Sequence, residues 1–170
     1  ITSFQDAGST QADIDAYRAL YAQGKLSSRL WIMLAGWDES LLAEWLKKGP
    51  EIDADHDFLT IRAIKLVADG ALGSRGAWLL KPYSDRPDWS GSASIPMETV
   101  LTVAKEALQA GFQLCVLTVS TLDAGSTWSF LKVLNNLTET GERTIIVIED
   151  LVGLVEFLER ALGLLRIPVF

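Results

Sequence analysis

The stretch FLTIRAIKLVADG, from Phe58 to Gly70, decides the fold class of this chain. It is a nearly continuous apolar run of strand length, and such runs are typical of strands covered on both faces in a parallel sheet. A single lysine, Lys65, lies inside the run, and an Asp-Gly pair that begins at Asp69 ends it. The stretch therefore predicts a parallel α/β fold with charged side chains near the carboxyl end of a strand.

Similar strand-like runs alternate with helical patterns along the rest of the chain. Strands separated by helix-length connections indicate repeated βαβ units, so we expect a mostly parallel sheet of about six βα units. No repeat, low-complexity segment or linker interrupts the sequence, which predicts a single α/β domain over residues 1–170. The predicted strands are Ile1–Gln5, Arg29–Ala35, Phe58–Ala68, Gln113–Val119, Thr144–Glu149 and Leu165–Phe170, and the predicted helices are Gln11–Gln23, Glu39–Lys48, Met97–Ala110, Ser126–Leu137 and Leu151–Leu162.

Two architectures fit this order of elements: a doubly wound open sheet, and part of a (βα)8 barrel. An open sheet that binds a dinucleotide would carry a G-x-G-x-x-G motif after its first strand. Residues 6–13 read DAGSTQAD and lack that spacing. The main reason to choose a nucleotide-binding open sheet is therefore missing.

Composition excludes several classes of partner. The net charge of −7, with no run of basic residues, argues against a nucleic-acid partner. The most apolar segment, Leu151–Phe170, contains four charged residues and is a poor membrane span. The single cysteine, Cys115, cannot form an internal disulfide, which fits a reducing compartment. We expect a cytoplasmic protein that binds neither nucleic acid nor membrane.

The alternation of side chains along a strand places Ile61, Ala63, Lys65, Val67 and Asp69 on one face. Lys65 and Asp69 then lie near the carboxyl end of the strand, where parallel α/β folds carry their chemistry. Both residues are candidates for a catalytic role. The alternative is structural, with Lys65 paired to a neighbouring carboxylate and Asp69 in an ordinary Asp-Gly turn.

Three segments carry a family resemblance: ITSFQDAG at 1–8, IKLVADGALGSRGAWLLKPYSD at 64–85 and AGFQLCV at 110–116. Over residues 1–116 the chain resembles metal-dependent amidohydrolases, in the branch of exoenzyme-regulator-like and N-substituted-formamide-deformylase-like proteins. The resemblance implies that the strands are the second to seventh of a (βα)8 barrel. It also implies that Lys65 matches a strand-four lysine that can be carboxylated and bridge two ions of Zn²⁺ or a similar metal. The loop after Asp69 would then shape the substrate pocket through Gly70, Ser74 and Arg75.

The chain departs from this family at its histidines. Leu117 and Asp150 stand where the resemblance places metal-binding histidines after the fifth and sixth barrel strands. The family's His-x-His motif would precede Ile1, and the eighth strand with its aspartate would follow the last residue. The one histidine, His56, lies before the strand that carries Lys65, at the opposite end from the expected site. We therefore expect no bound metal and a hydrolase that is catalytically incomplete by itself.

A second interpretation is a non-catalytic module that assembles with itself. An incomplete barrel has two exposed sheet edges and an uncovered inner face, on which alternation places Ile61, Ala63, Leu114 and Ile146. Burial of such surfaces predicts a homo-oligomer. In either interpretation a structural Lys65 would pair with Asp6 or Asp69, while Glu149 is a further carboxylate expected near a strand's carboxyl end.

Overall fold

The computed structural model describes residues 1–52, 58–118 and 145–148. These residues form a mostly parallel sheet flanked by helices. The elements in chain order are β1 (Ser3–Ser9), α1 (Gln11–Ala22), β2 (Arg29–Ala35), α2 (Glu39–Lys48), β3 (Glu51–Ile52), β4 (Leu59–Val67), α3 (Met97–Gln109), β5 (Gln113–Thr118) and β6 (Ile145–Ile148). The strand order is β1-β2-β4-β5-β6, with every neighbouring pair in that path parallel. The predicted mostly parallel α/β sheet is confirmed.

The first two helices begin at the caps that their sequences provide. Thr10 caps α1, where its hydroxyl and the Asp13 carboxylate form a reciprocal capping box. Asp38 caps α2 and accepts a hydrogen bond from the backbone N–H of Leu41 at 3.0 Å. Gly49 ends α2 with a φ of 83°, a backbone conformation that glycine adopts at low cost. These predicted boundaries are confirmed because capping chemistry is local to the sequence.

Two features of the sheet differ from the sequence prediction. The first strand was expected over Ile1–Gln5, but β1 runs over Ser3–Ser9 and ends in polar and small residues. The two-residue strand β3 was not predicted, and it pairs antiparallel with the start of β4. The helices predicted at 126–137 and 151–162 and the strand at 165–170 lie outside the described residues. In the described ranges, no helix is long and apolar enough to cross a membrane.

The sheet has a helix-covered face and a second face that carries a smaller apolar cluster. The larger core lies under the helices and is built around fully buried side chains that include Ile32, Leu34, Ile64 and Trp45. The smaller cluster, called here the inner-face cluster, consists of Met33, Ala63 and Cys115 with Trp31 partly buried against it. In a closed barrel this second face would be the interior.

The predicted membership of the inner face is wrong at two positions. Ile61 pairs with Ile32 but Ala63 pairs with Met33, so Arg62 is an extra residue that shifts the register. Because this bulge reverses the alternation, Ile61 lies in the helix-side core while Ala63 joins the inner-face cluster. Leu114, also predicted to face inward, packs in the helix-side core as well. The side chain of Ile146 is outside the description.

Candidate active site

The carboxyl ends of the parallel strands β1, β2, β4 and β5 lie at the same end of the sheet, called here the carboxyl edge. Lys65 lies near the middle of this carboxyl edge. In the strand register Lys65 is opposite Ala35 of β2 and Cys115 of β5. Directly after β2, the backbone N–H of Gly36 donates to the Lys65 carbonyl at 2.9 Å. A Cβ atom at Gly36 would overlap that carbonyl oxygen, so only glycine fits here. The backbone around Lys65 is therefore held on both sides.

The Lys65 side chain is half-buried, and alternation from Ala63 places it on the face of the inner-face cluster. It forms no ion pair with Asp6 or Asp69, nor with any other carboxylate in the described part of the chain. The predicted structural pairing of Lys65 is therefore wrong for both candidates. Burial raises the pKa of the Cys115 thiol, and the nearby Lys65 charge offsets part of that rise.

Asp69 anchors the long loop that follows β4. Its side chain is almost completely buried, with 2% exposed. The carboxylate accepts a hydrogen bond from the backbone N–H of Trp78 at 2.9 Å. Asp69 also forms an isolated antiparallel bridge with Ala93, near the far end of the same loop. The structure thus places Asp69 at the point where the strand end and both halves of the loop meet.

Gly70 and Ser74 belong to the turn that starts this loop. The backbone N–H of Gly70 donates to the Gly76 carbonyl at 3.1 Å. A Cβ atom at Gly70 would lie 2.9 Å from the Cα of Gly76, so the two glycines allow the backbones to approach closely. The Ser74 hydroxyl donates to the Ala71 carbonyl at 3.1 Å. Their roles in substrate binding stay predictions.

Arg75 has a backbone φ of 59°, unusual for a residue other than glycine. Its guanidinium binds the Asp85 carboxylate, with Nε 3.2 Å from both oxygens. This contact raises the pKa of Arg75 and lowers that of Asp85. The indole N–H of Trp89 donates to the Arg75 carbonyl at 2.7 Å. The arginine is exposed and tied into the loop, and a substrate contact from it stays a prediction as well.

Asp6 of β1 forms a polar network that sequence reasoning missed. Its carboxylate accepts hydrogen bonds from the Ser9 hydroxyl at 2.7 Å and the Tyr17 hydroxyl at 2.8 Å. The hydrogen bond to Asp6 is the main cause that raises the pKa of Tyr17 to about 12. The three residues join the carboxyl end of β1 to α1. The sequence does contain a signal for a polar site here, because Asp6 directly follows the predicted first strand.

Among the described residues, the donors around Lys65 do not by themselves make up a metal site. In residues 1–52, 58–118 and 145–148, no three side chains of the His, Cys, Asp and Glu types come together as a metal site. Leu117, at the position of an expected histidine, is half-buried and offers no donor atom. One oxygen of the Asp69 carboxylate accepts the Trp78 N–H of the loop. The remaining expected ligands, Asp150 and Glu149, and the lone His56 lie outside the described residues.

Comparison with known proteins gives one family and two similar structures. The amidohydrolase family profile matches residues 1–146. A crystal structure of an uncharacterized metal-dependent hydrolase from Pyrococcus horikoshii OT3 is 25% identical with a TM-score of 0.71, covering 96% of this chain and 32% of that chain. A second such hydrolase, from Pyrococcus furiosus, is 22% identical with a TM-score of 0.66, covering 94% and 32%. No curated protein matches the chain. The chain thus spans about a third of the length of the two solved hydrolases.

Proposed function

Because the chain belongs to the amidohydrolase family, we propose that it is part of a hydrolase that acts on C–N bonds. We place the site at the carboxyl ends of β1, β2, β4 and β5. The observation that carries the proposal is the position of Lys65, half-buried at this edge between Ala35 and Cys115. The segment from 64 to 85 supports the finer assignment to the exoenzyme-regulator-like and formamide-deformylase-like branch. With Cys115 as a reduced thiol, the cytoplasm is the compartment that fits.

We further propose that this chain is catalytically incomplete by itself. Hydrolysis of a C–N bond needs a water molecule activated by a base or a metal ion. The family suggests a divalent metal, but Leu117 offers no donor atom and one oxygen of Asp69 already accepts a hydrogen bond from the loop. As an ammonium, Lys65 only donates hydrogen bonds, so it can bind a substrate oxygen but cannot accept a proton from water. Binding of a polar substrate group is the role that these residues support.

Rebuilding the missing imidazoles tests this proposal. The double variant Leu117→His/Asp150→His restores a histidine at both positions given by the family resemblance. We expect it to bind Zn²⁺ at least tenfold more tightly than the unmodified chain, measured by competition with a chromophoric chelator. Adding Lys65→Met to the double variant should reduce that gain, whereas Lys105→Met should not. Equal zinc affinity of the unmodified chain and the double variant would contradict the proposal. Formate release from an N-substituted formamide, assayed in parallel, reports whether activity returns with the metal.

A second candidate function is self-assembly through the edge of the sheet. β1 pairs with β2 alone in the described part of the chain, and most of its residues are exposed. Phe4 is 53% exposed on this strand, an apolar side chain on an open edge. We propose that the chain forms a homo-oligomer there. Sedimentation equilibrium should show species above 18.6 kDa that dissociate in Phe4→Lys but persist in the control Leu80→Lys, which changes an exposed leucine in the loop. A single 18.6 kDa species at micromolar concentration would exclude this function.

A further inference from the structure

A groove of about 730 Å³ lies on the helix-covered side of the sheet, between α2 and α3. Leu66 of β4 lines it from the sheet, and Leu42 and Leu46 of α2 and Val103 of α3 line it from the helices. Because neighbouring side chains on a strand point to opposite faces, Leu66 and the groove lie on the other side of the sheet from Lys65. The body of the groove therefore lies on the face opposite Lys65, although its lining reaches the carboxyl ends of β2 and β4 at Gly36 and Val67. Its volume is that of a small-molecule site.

Among the described residues, the ionisable side chains that line this groove are both acidic. Glu39 from the first turn of α2 and Glu106 from α3 both contribute to the lining, and no lysine or arginine of residues 1–52 and 58–118 does. Neither carboxylate forms an ion pair with any residue in the described ranges. Two uncompensated negative charges beside an apolar surface favour a ligand with the complementary pattern.

We propose that the groove binds a small organic ammonium compound with an apolar body. The apolar part lies against the leucine side chains, where burial of its surface supplies the non-specific part of the affinity. The ammonium group lies near Glu39 and Glu106, which supply the selectivity for a cation. An anionic analogue of the same shape meets the same apolar walls but is repelled by both carboxylates. The proposal concerns a binding site beyond the hydrolase function and does not depend on it.

Three probes of matched shape test the proposal: 4-phenylbutylamine, 4-phenylbutanol and 4-phenylbutyrate. Calorimetric titration of the full chain at low salt should show the amine binding at least tenfold more tightly than the acid, with the alcohol between them. Glu39→Gln and Glu106→Gln should each weaken the amine at least threefold and leave the alcohol unchanged. The control Glu44→Gln, an exposed carboxylate on α2 outside the groove, should change the amine affinity less than twofold. Ala43→Phe, which places a ring in the groove, should abolish binding of all three probes.

Several results would overturn this assignment. Equal affinities for the amine and the acid would remove the role of the two carboxylates. A loss in Glu44→Gln as large as that in Glu39→Gln would mean that the amine responds only to the net charge of −7. Absence of binding by every probe would show that the groove is not a small-molecule site. An oligomer that Ala43→Phe dissociates would assign the groove to a second copy of the chain instead.

Discussion

The carboxylate of Asp69 and the backbone N–H of Trp78 are joined by a hydrogen bond of 2.9 Å. This contact connects the end of β4 to the middle of the long loop, across nine residues of chain. A buried carboxylate is costly unless hydrogen bonds satisfy it, so the loop and the strand end stabilise one another. The residue that looked like a catalytic partner of Lys65 therefore has a structural task at the same edge of the sheet.

Asp69→Ala should lower the free energy of unfolding by about 1–3 kcal/mol, because it leaves the Trp78 N–H without its acceptor. Asp69→Asn should cost less, since its amide oxygen can still accept that hydrogen bond. Urea unfolding measures both changes, and faster tryptic cleavage between Arg75 and Gly76 reports the freed loop. The control Asp88→Ala, whose side chain is 75% exposed, should leave stability and cleavage unchanged. Equal stability of Asp69→Ala and the unmodified chain would rule out the anchoring role.

Gly36→Ala should destabilise the chain by about 1–3 kcal/mol, because its Cβ would overlap the backbone carbonyl of Lys65 and force the two strands apart. Gly73→Ala is the matched control, since a Cβ there would meet no atom within 4 Å. We expect that control to stay within about 0.5 kcal/mol of the unmodified chain. Thermal and urea unfolding of the two variants compare them directly. If both behave alike, the close approach of β2 and β4 at this point is not as described.

Lys65→Met should leave the free energy of unfolding unchanged or raise it. The lysine has no ion pair among the described residues, so its removal leaves no partner charge buried, and methionine suits the inner-face cluster. Lys105→Met, on the exposed side of α3, is the control for a general effect of charge. Urea unfolding is the measurement. A loss of about 3 kcal/mol or more, the size expected when a buried ion pair is broken, would show that Lys65 has a carboxylate partner.

The pKa of Tyr17 should respond to Asp6. The hydrogen bond to Asp6 raises this pKa to about 12, above the value of about 10 for an unfolded tyrosine. Because the folded pKa is the higher one, the resulting stability is complete below about pH 10 and is lost as the pH rises through about 12. Titration of tyrosinate absorbance at 295 nm should show the Tyr17 transition moving towards pH 10 in Asp6→Asn. The control Asp15→Asn, on the same helix as Tyr17, should leave the Tyr17 transition unchanged. A shift of that transition in both variants would contradict the assignment of the raised pKa to Asp6.

The sequence predicted the elements whose signals are local and missed those that depend on pairing. β2 and α2 have the predicted bounds because their signals lie within the segments themselves. For β2 the signal is a continuous apolar run, and for α2 it is an N-terminal cap and a terminating glycine. β1 extends four residues further than predicted, since its second half is polar and small and takes its strand geometry from pairing with β2. The bulge at Arg62 has no sequence signal, and it reversed the predicted face of Ile61.

The candidate site was predicted only in part for the same reason. Alternation and strand order placed Lys65 at the carboxyl edge, where the structure has it. The partners of Asp6 and Asp69 could not be predicted, because Tyr17 and Trp78 reach them through the path of a helix and a loop. Such contacts depend on tertiary geometry, which side-chain periodicity does not encode.

Elemental analysis of the purified chain is the measurement that tests the central claim most directly. The claim is that this amidohydrolase-family chain lacks the donor set for a metal-activated water. After dialysis against a weak chelator, inductively coupled plasma mass spectrometry should find far less than one zinc, manganese, nickel or iron ion per chain. One or more metal ions per chain would contradict the account. Lys65, Asp69 and Glu149 would then be the candidate metal ligands.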